Sequence, residues 1–386
     1  MSVALLILGL VLFVGLVVVH ELGHAIVARR NGVDVEEFGI GLPPRAWGRK
    51  LKNGVLFSLN WLPLGGFVRL KGEHDSDSEK GSYGSANLRA KSKIMLAGVG
   101  MNLLTAWILF TLLAIVGIPR LIDNQFSIQR DAHTVKQEVL VGYIEPGSPA
   151  EKAGLKERDQ IIGIGFDNNA ICPPSAICLP VAEKLSVADD LAHRTKENAG
   201  QTIPIEIKHG NETNIMMVTL RSKDEVDTSL KTDNPKGYLG VVPTDYTIQR
   251  YTWSAPIEAL GIMVQFTKLT LVGLGHAIGG LSRGNTAQAT EQVSGPVGIF
   301  FLLKNGSLLG YQFVLVIVAV ISLTLAIINL LPIPALDGGR LFVTLLFRAA
   351  KKPLTAGRED LIHGTGFAFL MVLFVLITIV DIHRFF

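Results

Sequence analysis

Four long apolar runs constrain the fold of this 386-residue chain more than any other feature. A helix needs about 20 apolar residues to cross the hydrocarbon core of a bilayer. The chain is 48% hydrophobic and only 18% charged, and its mean hydropathy is +0.39, which is typical of membrane proteins. The runs cover about 3–26, 94–118, 309–334 and 361–380. The sequence therefore predicts a polytopic α-helical membrane protein with four transmembrane helices.

The basic residues between these runs predict the orientation of the chain. Lys and Arg outnumber Asp and Glu between the first two runs. The loop after the third run carries Arg340, Arg348, Lys351, Lys352 and Arg358. Cytoplasmic loops are enriched in Lys and Arg, so both loops are expected on the cytoplasmic side of the membrane. The N-terminus and residues 119–308 are then extracytoplasmic, and a net charge of only +3 indicates no nucleic-acid partner.

The first apolar run is expected to stay in the protein. Its first basic residues, Arg29 and Arg30, follow the run, whereas a cleaved signal peptide has basic residues before it. A possible zinc motif, His20-Glu21-Leu22-Gly23-His24, also lies at the end of this run. Side chains at i and i+4 lie on one face of a helix, so the two imidazoles can bind one Zn²⁺. Glu21 between them can act as a general base, whereas a structural interpretation makes the histidines packing or capping residues.

Two histidines are too few for a catalytic zinc site, which usually has three protein ligands. The candidate third ligand is Asp337, just past two prolines in the stretch 329–339. Pro332 and Pro334 should break the third apolar run at its cytoplasmic end, where the first run also ends. Topology alone therefore predicts that Asp337 meets His20 and His24. The alternative is that Asp337 only caps the start of a helix.

The region 31–92 is predicted to form a cytoplasmic, membrane-associated β unit followed by a flexible, charged connector. Asn53-Gly54 separates two strand-like runs, which is a strong hairpin signal. Gly65, Gly66 and Phe67 belong to a further turn and strand. Their strand edge is expected to pair with an unwound substrate segment, because a helical peptide bond must be extended before it can be cut. The alternative is a plain folded loop.

The extracytoplasmic region contains a stretch, 141–155, that reads as a strand, a Pro/Ser turn and a short helix closed by Gly154. It resembles the PDZ domains of bacterial envelope proteases, except that Arg158 stands before Asp159 where the pattern usually has Gly. Such a domain could bind extended peptide segments or exclude substrates by size, and the sequence does not separate these roles. A disulfide between Cys172 and Cys178 is predicted, with two free thiols as the alternative.

The stretch 253–281 is apolar enough to suggest a fifth span. Glu258, Lys268 and His276 interrupt it, and a span here would invert the third run and carry Asp337 away from the zinc motif. An amphipathic helix on the outer membrane surface is therefore predicted instead. Residues 237–241 are expected to close the sheet as a strand or to form a carboxylate-binding loop.

The chain resembles the site-2 protease family of intramembrane zinc metalloproteases, most closely the bacterial RseP-type branch. The matching residues are His20-Glu21 with His24, Asn329 with Pro332, Pro334, Leu336, Asp337 and Gly338, the glycines at 39–41, Pro63-Leu64-Gly65-Gly66-Phe67, the PDZ-like region, and Ser294-Gly295-Pro296. The resemblance implies that His20, His24 and Asp337 bind Zn²⁺ and that Glu21 activates water. It also implies that Asn329 assists the substrate carbonyl.

The resemblance further implies a place in the bacterial inner membrane and substrates that are single-span membrane proteins trimmed outside, such as anti-sigma factors, or signal-peptide remnants. This chain differs from the family pattern in having one PDZ-like domain where well-known enterobacterial members have two. It also has Val99 where Ala-Gly-Pro is common before the Asn of span two. The two alternative functions are a metal transporter and a catalytically silent peptide-binding adaptor. A transporter predicts more spans with polar residues at mid-membrane depth, and the intact Glu21 disfavours the adaptor.

These inferences predict the following domains: 1–30, the first transmembrane helix; 31–92, the cytoplasmic β unit and connector; 93–118, the second helix; 119–235, the PDZ-like α+β domain; 236–308, the linker with the surface helix; 309–340, the third helix; 341–360, a cytoplasmic loop; and 361–386, the fourth helix and C-terminus.

Overall fold

The structure is a computed structural model that describes residues 2–166, 182–210, 212–232, 234–283 and 294–386. The chain forms two compact units. The helical unit comprises Met1–Ile118, Asn124–Asp131 and Tyr251–Phe386, and the sheet unit comprises Pro119–Asp123 and Ala132–Arg250. The predicted disulfide cysteines, Cys172 and Cys178, lie outside the described residues.

The described helices and strands have the following bounds. The helices are α1 (Ser2–Arg30), α2 (Leu88–Val116), α3 (Pro149–Ala153), α4 (Ala188–Glu197), α5 (Lys223–Ser229), α6 (Ala255–Ser282), α7 (Pro296–Leu309), α8 (Tyr311–Leu330), α9 (Asp337–Ala349) and α10 (Ala356–Phe385). The strands are β1 (Val35–Lys50), β2 (Leu56–Leu70), β3 (Ile118–Pro119), β4 (His133–Ile144), β5 (Gln160–Phe166), β6 (Ala182–Lys184), β7 (Thr202–His209), β8 (Glu212–Thr219) and β9 (Val241–Arg250).

Five helices in the described part of the chain are long and apolar enough to cross a membrane by length and composition. They are α1, α2, α6, α8 and α10. The predicted number of four transmembrane helices is therefore not confirmed, because α6 also meets the criteria. Its mean hydropathy of 1.4 is the lowest of the five, since charged residues interrupt its apolar sequence.

Helix α6 packs against α2. Trp107 Nε1 of α2 donates a hydrogen bond to the Pro256 carbonyl, and Phe110 stacks on Phe266 with ring centroids 5.9 Å apart. Both the start and the middle of α6 therefore contact the second apolar helix.

Helices α1 and α2 pack closely at the level of the zinc motif. A Cβ on Gly23 would lie 2.6 Å from Met101 Cγ and 2.7 Å from the Ala97 carbonyl oxygen, so only glycine permits this approach. Helix α1 ends in Arg29 and Arg30, whose charges suit the helix C-terminus, and Gly32 follows with φ of +77°. The motif thus lies where α1 is held against α2.

The third apolar run breaks where its prolines predict. Helix α8 ends at Leu330 and α9 begins at Asp337, with a tight bend between them. Within the bend, the Leu336 N–H donates to the Ile333 carbonyl, and Ala335 has a left-handed backbone with φ of +79°. Asp337 therefore occupies the first turn of a helix that starts directly after the bend.

The predicted hairpin is confirmed, and it is more elaborate than a two-stranded unit. Gly54 turns the chain with φ of +87°, and the segments 45–50 and 56–60 pair on either side of it. Residues 37–40 pair with 56–59 on one side and with 66–69 on the other. The unit therefore consists of four paired segments. The segments 37–40 and 56–59 run parallel, the other two pairings are antiparallel, and the segment 66–70 forms one edge.

The connector 72–92, which was predicted to be flexible, is instead an ordered part of the helical unit. Lys71 and Tyr83 form a backbone hydrogen bond, and the Asp34 N–H donates to the Gly81 carbonyl. Lys91 of α2 is fully buried and forms an ion pair with Asp75. Burial of a charged group requires such a partner, so the charges that suggested flexibility hold this segment in place.

The sheet unit is an antiparallel sheet in the order β9-β4-β5-β7-β8, with β6 paired to β5. Because β9 pairs with β4, the unit extends to Arg250, beyond the predicted boundary at 235. Arg158 has φ of +71°, the left-handed conformation that favours glycine, so the turn keeps its geometry despite the substitution. The assignment of a PDZ-like domain stays a prediction.

Candidate metal centre and active site

The structure brings together the three side chains that the sequence proposed as metal ligands. His20 Nε2 and His24 Nε2 lie 3.2 Å apart, and each lies 3.1 Å from Asp337 Oδ2. Both histidines are buried, and the Asp337 side chain is 17% exposed. Residues separated by more than 300 positions in sequence therefore place three donor atoms in one triangle.

This triangle fits a zinc ion. Bonds of about 2.0 Å in a tetrahedral site place the donor atoms about 3.3 Å apart, close to the three observed distances. Two imidazole nitrogens and a carboxylate oxygen that face one another at this distance would repel if all three carried lone pairs. A shared cation removes that repulsion, so the donor set and its spacing fit Zn²⁺.

The outer ring nitrogens of both histidines have partners that turn Nε2 toward the triangle. His24 Nδ1 donates to the Ile94 carbonyl of α2 at 2.8 Å. His20 Nδ1 lies 3.2 Å from the side-chain amide of buried Asn102, whose Oδ1 has no other partner among the described atoms. We assign the amide oxygen to the His20 N–H, because both rings then present a Nε2 lone pair to a metal.

Replacing Asn102 by leucine is expected to weaken zinc binding by about 10- to 100-fold, the usual effect of removing an outer partner of a metal-binding histidine. The leucine fills a similar volume but accepts no hydrogen bond from His20. Competition with a chelator measures the affinity, and Ile94, which uses only its backbone carbonyl, offers Ile94→Val as the matched control. Equal zinc affinity for Asn102→Leu and the native chain would contradict this role.

Gly98 of α2 lies in direct contact with the imidazole rings of His20 and His24. A Cβ at this position would lie 2.4 Å from His24 Nε2 and 2.6 Å from His20 Nε2. This contact could not be predicted from the apolar pattern, because Gly98 is one of several small residues in the second apolar run. Its lack of a side chain lets the metal-binding faces rest against the helix backbone.

Glu21 lines a cavity of about 450 Å³ beside the triangle. The lining residues are Glu21, His24, Phe67, Val68, Arg69, Leu70, Glu73, Met95, Ala335, Asp337 and Arg340. Five of them come from the edge segment of the hairpin and the residues just after it, so the edge forms one wall of this cavity. A Cβ on Gly66 would lie 3.4 Å from Glu21 Cγ, which places the strand directly against the candidate base.

Four of the predicted site residues in the described part of the chain do not line the cavity: His20, Gly65, Gly66 and Asn329. Asn329 is half-buried in the last turn of α8, and Gly65 turns the chain with φ of +84° close to Leu42. Phe67 does line the cavity, as expected for a substrate-contacting residue. Sequence reasoning did not single out Arg69, Glu73 or Arg340 at the wall, because only the fold brings them there.

Comparison with known proteins identifies the family. Residues 8–373 match the family model described as Peptidase family M50. The chain belongs to this family. A Clostridium perfringens protein named as a zinc metalloprotease is 31% identical over 98% of both chains. The Bacillus subtilis protein named Regulator of sigma-W protease RasP is 26% identical over 98% of each chain, and the Enterococcus faecalis protein named Probable protease eep is also 26% identical over 98% of each.

Membership in the M50 site-2 proteases confirms three predictions from the sequence. The chain is a zinc metalloprotease of RseP type, and its cofactor is Zn²⁺. Its apolar helices agree with a multi-pass bacterial membrane protein that carries out regulated intramembrane proteolysis.

Proposed function

We propose that this M50 protease cleaves peptide bonds within the transmembrane segments of single-span membrane proteins. His20, His24 and Asp337 hold Zn²⁺, and Glu21 is the general base. The observation that carries the proposal is the triangle of three donor atoms beside Glu21, at the end of a helix long enough to cross a membrane. Chelator-sensitive cleavage of a single-span protein in purified membranes tests it.

The proposed chemistry assigns each step to a side chain of this protein. His20, His24 and Asp337 would hold Zn²⁺, which when bound would supply Lewis acidity to the substrate carbonyl and the attacking water. The Glu21 carboxylate accepts a proton from that water and then delivers it to the leaving amine nitrogen. Asn329 is proposed to donate a hydrogen bond to the carbonyl oxygen.

The edge segment of the hairpin is the proposed substrate-binding element. Residues 66–69 pair with β1 on one side only, and the wall residues Phe67 and Val68 lie beside Glu21. An extended chain can add to such an edge through backbone hydrogen bonds. This pairing keeps the scissile peptide bond extended next to the zinc. In a helical segment, the neighbouring turns would shield that bond. Gly65, Gly66 and Phe67 then contact the substrate.

Replacing Gly66 by leucine is expected to raise KM by about 10-fold or more, while zinc binding stays unchanged. The Cβ position has the Gly39 carbonyl oxygen at 3.1 Å and atoms of Glu21 and Val17 at 3.4 Å. A longer side chain must therefore displace one of these neighbours or enter the space for the substrate. A loss of this size corresponds to about 1.4 kcal/mol of binding free energy. Gly357→Leu at the exposed start of α10, where no atom lies within 4 Å of the Cβ, is the control. Unchanged kinetics for Gly66→Leu would argue against substrate pairing here.

The proposed orientation places the N-terminus and the sheet unit outside and the zinc near the cytoplasmic side. The basic loops support it, and the charged residues Glu258 and Lys268, which interrupt the apolar sequence of α6, support a surface position for this helix. Labelling of single cysteines at Ser78, Lys223 and Arg283, in a chain with Cys172 and Cys178 replaced, tests this topology. Ser78 should be accessible from the cytoplasm and the other two from outside, and Ser78 and Lys223 on one side would refute the orientation.

The proposed substrates are single-span proteins trimmed on the outside, such as anti-sigma factors, and remnants of signal peptides. One relative is named Regulator of sigma-W protease, which supports the first class. The proposed role of the sheet unit is to admit or exclude these substrates, as a PDZ-like domain by peptide binding or by size. Co-expression with tagged single-span proteins of each class, with and without their external domains, distinguishes peptide binding from exclusion by size.

A further inference from the structure

The position of Asp337 depends on the bend that precedes it. Ala335, two residues before Asp337, has a left-handed backbone, which is uncommon for a residue with a Cβ. Such a conformation costs roughly 1 kcal/mol or more and persists where surrounding contacts fix it. The contacts that hold Ala335 therefore matter for where the Asp337 carboxylate lies.

One side of the bend packs against the start of α9. A Cβ on Gly338 would lie 2.3 Å from the Leu330 carbonyl oxygen, and a Cβ on Gly339 would lie 1.9 Å from the Ile333 carbonyl oxygen. The first turn of α9 is thus seated on the backbone of the bend with no space between them. A displacement of the bend must then move Asp337, since it belongs to that same turn.

The other side of the bend is held by α10. The Ala335 N–H donates a hydrogen bond to His363 Nδ1 at 3.2 Å. Three residues further along α10, a Cβ on Gly366 would lie 2.5 Å from both Cβ and the carbonyl oxygen of Pro334. His363 and Gly366 lie on one face of α10, so this helix contacts the bend through a polar anchor and a close backbone approach.

The hydrogen bond fixes the state of the His363 ring. Because Nδ1 accepts from the Ala335 N–H, the neutral ring carries its proton on Nε2. His363 Nε2 is buried and has no hydrogen-bond partner in the described part of the chain. The only hydrogen bond of this ring among those residues is therefore the one to the strained bend. A residue that served packing alone would not need a buried nitrogen there.

We propose that His363 is a positioning residue for the zinc site, which it serves by holding Ala335 and hence the Asp337 carboxylate. The inference rests on the proposed role of Asp337 as a zinc ligand. It adds a dependence of the metal centre on α10, a helix whose central residues, such as Phe369 and Val372, are exposed. The zinc site is complete only while the His363 end of α10 is seated on the bend.

Two substitutions at one position separate positioning from packing. His363→Asn keeps an acceptor, because Asn Oδ1 occupies nearly the same place as His Nδ1, whereas His363→Leu fills the space and accepts nothing. Purified full-length protein is loaded with zinc, and its affinity is measured by chelator competition together with kcat and KM for a single-span substrate. Phe369→Leu, at an exposed site on the same helix, controls for changes to α10.

His363→Leu is expected to lower zinc affinity and kcat by about 10-fold or more, as removal of an outer partner of a metal site does, with KM little changed. His363→Asn should restore most of both values. Native zinc affinity in His363→Leu, or an equal loss in His363→Asn, would overturn the proposal. If the native chain neither binds zinc nor cleaves the substrate, the proposed function fails instead, so the two failures are distinguishable.

Discussion

Replacing Glu21 by glutamine is expected to lower kcat by about 10²- to 10⁴-fold, the usual contribution of a general base, while zinc remains bound. Glutamine has the shape of glutamate but cannot accept the proton of the attacking water. Glu21 is not one of the three residues that form the metal triangle, so the ligand set stays intact. Cleavage of a single-span substrate in proteoliposomes, measured alongside zinc content, tests both parts of this expectation.

Glu73 provides a matched control for Glu21. It is another carboxylate in the wall of the same cavity, and it pairs with Arg340 at 3.5 Å. Glu73→Gln should retain most of the cleavage activity and all of the zinc. Cleavage by Glu21→Gln within about threefold of the native rate, well short of the expected loss, would contradict the assigned role.

Replacing Gly98 by alanine is expected to remove zinc binding and, with it, proteolysis. The added Cβ would lie within 2.6 Å of both imidazole rings, at the nitrogens that face the metal. We expect a loss of affinity greater than about 100-fold, beyond the effect of losing an outer hydrogen-bond partner. Alanine is favoured over glycine in helices by about 1 kcal/mol, so a loss would not come from a weaker helix.

Gly100→Ala separates this steric effect from a general effect on α2. Gly100 lies two residues further along the same helix, and its Cβ position has no atom within 4 Å. This variant should bind zinc and cleave like the native chain. Both variants are compared as monodisperse protein in detergent. Equal zinc affinity of Gly98→Ala and Gly100→Ala would contradict the steric role of Gly98.

The ligand triangle was predictable because two separate physical rules apply to it. His20 and His24 are one helical turn apart, so local geometry alone places them on one face. Asp337 is distant in sequence, but the break at Pro332 and Pro334 and the direction of the apolar runs predict its position. The hairpin turn at 53–54 was predictable for a similar reason, since the signal is contained in a few adjacent residues.

The residues that surround the triangle could not be predicted in this way. Gly98 and Asn102 contact the histidines across the α1–α2 interface, and His363 contacts the bend from another helix. Each of these contacts depends on helix rotation and interhelical distance, which the apolar pattern does not specify. Gly98 in particular acts through the absence of a side chain, and an isolated glycine in an apolar run has several explanations.

The flexibility predicted for the connector from its charged residues is wrong. Residues 72–92 contain many charged and small residues, which are typical of flexible segments. The fold pairs these charges with distant ones, as Asp75 with Lys91 and His74 with Asp360. These partners lie on α2 and α10, so the pairs form only after the helices have assembled.

Zinc K-edge X-ray absorption of the purified, zinc-loaded protein tests the central claim most directly. The account predicts one zinc per chain with two imidazole ligands, oxygen ligands in the remaining positions and no sulfur. His24→Ala should lose one imidazole from this spectrum or lose the zinc. Sulfur in the coordination sphere, from Cys172 or Cys178, or an unchanged spectrum in His24→Ala would contradict the assignment of His20, His24 and Asp337.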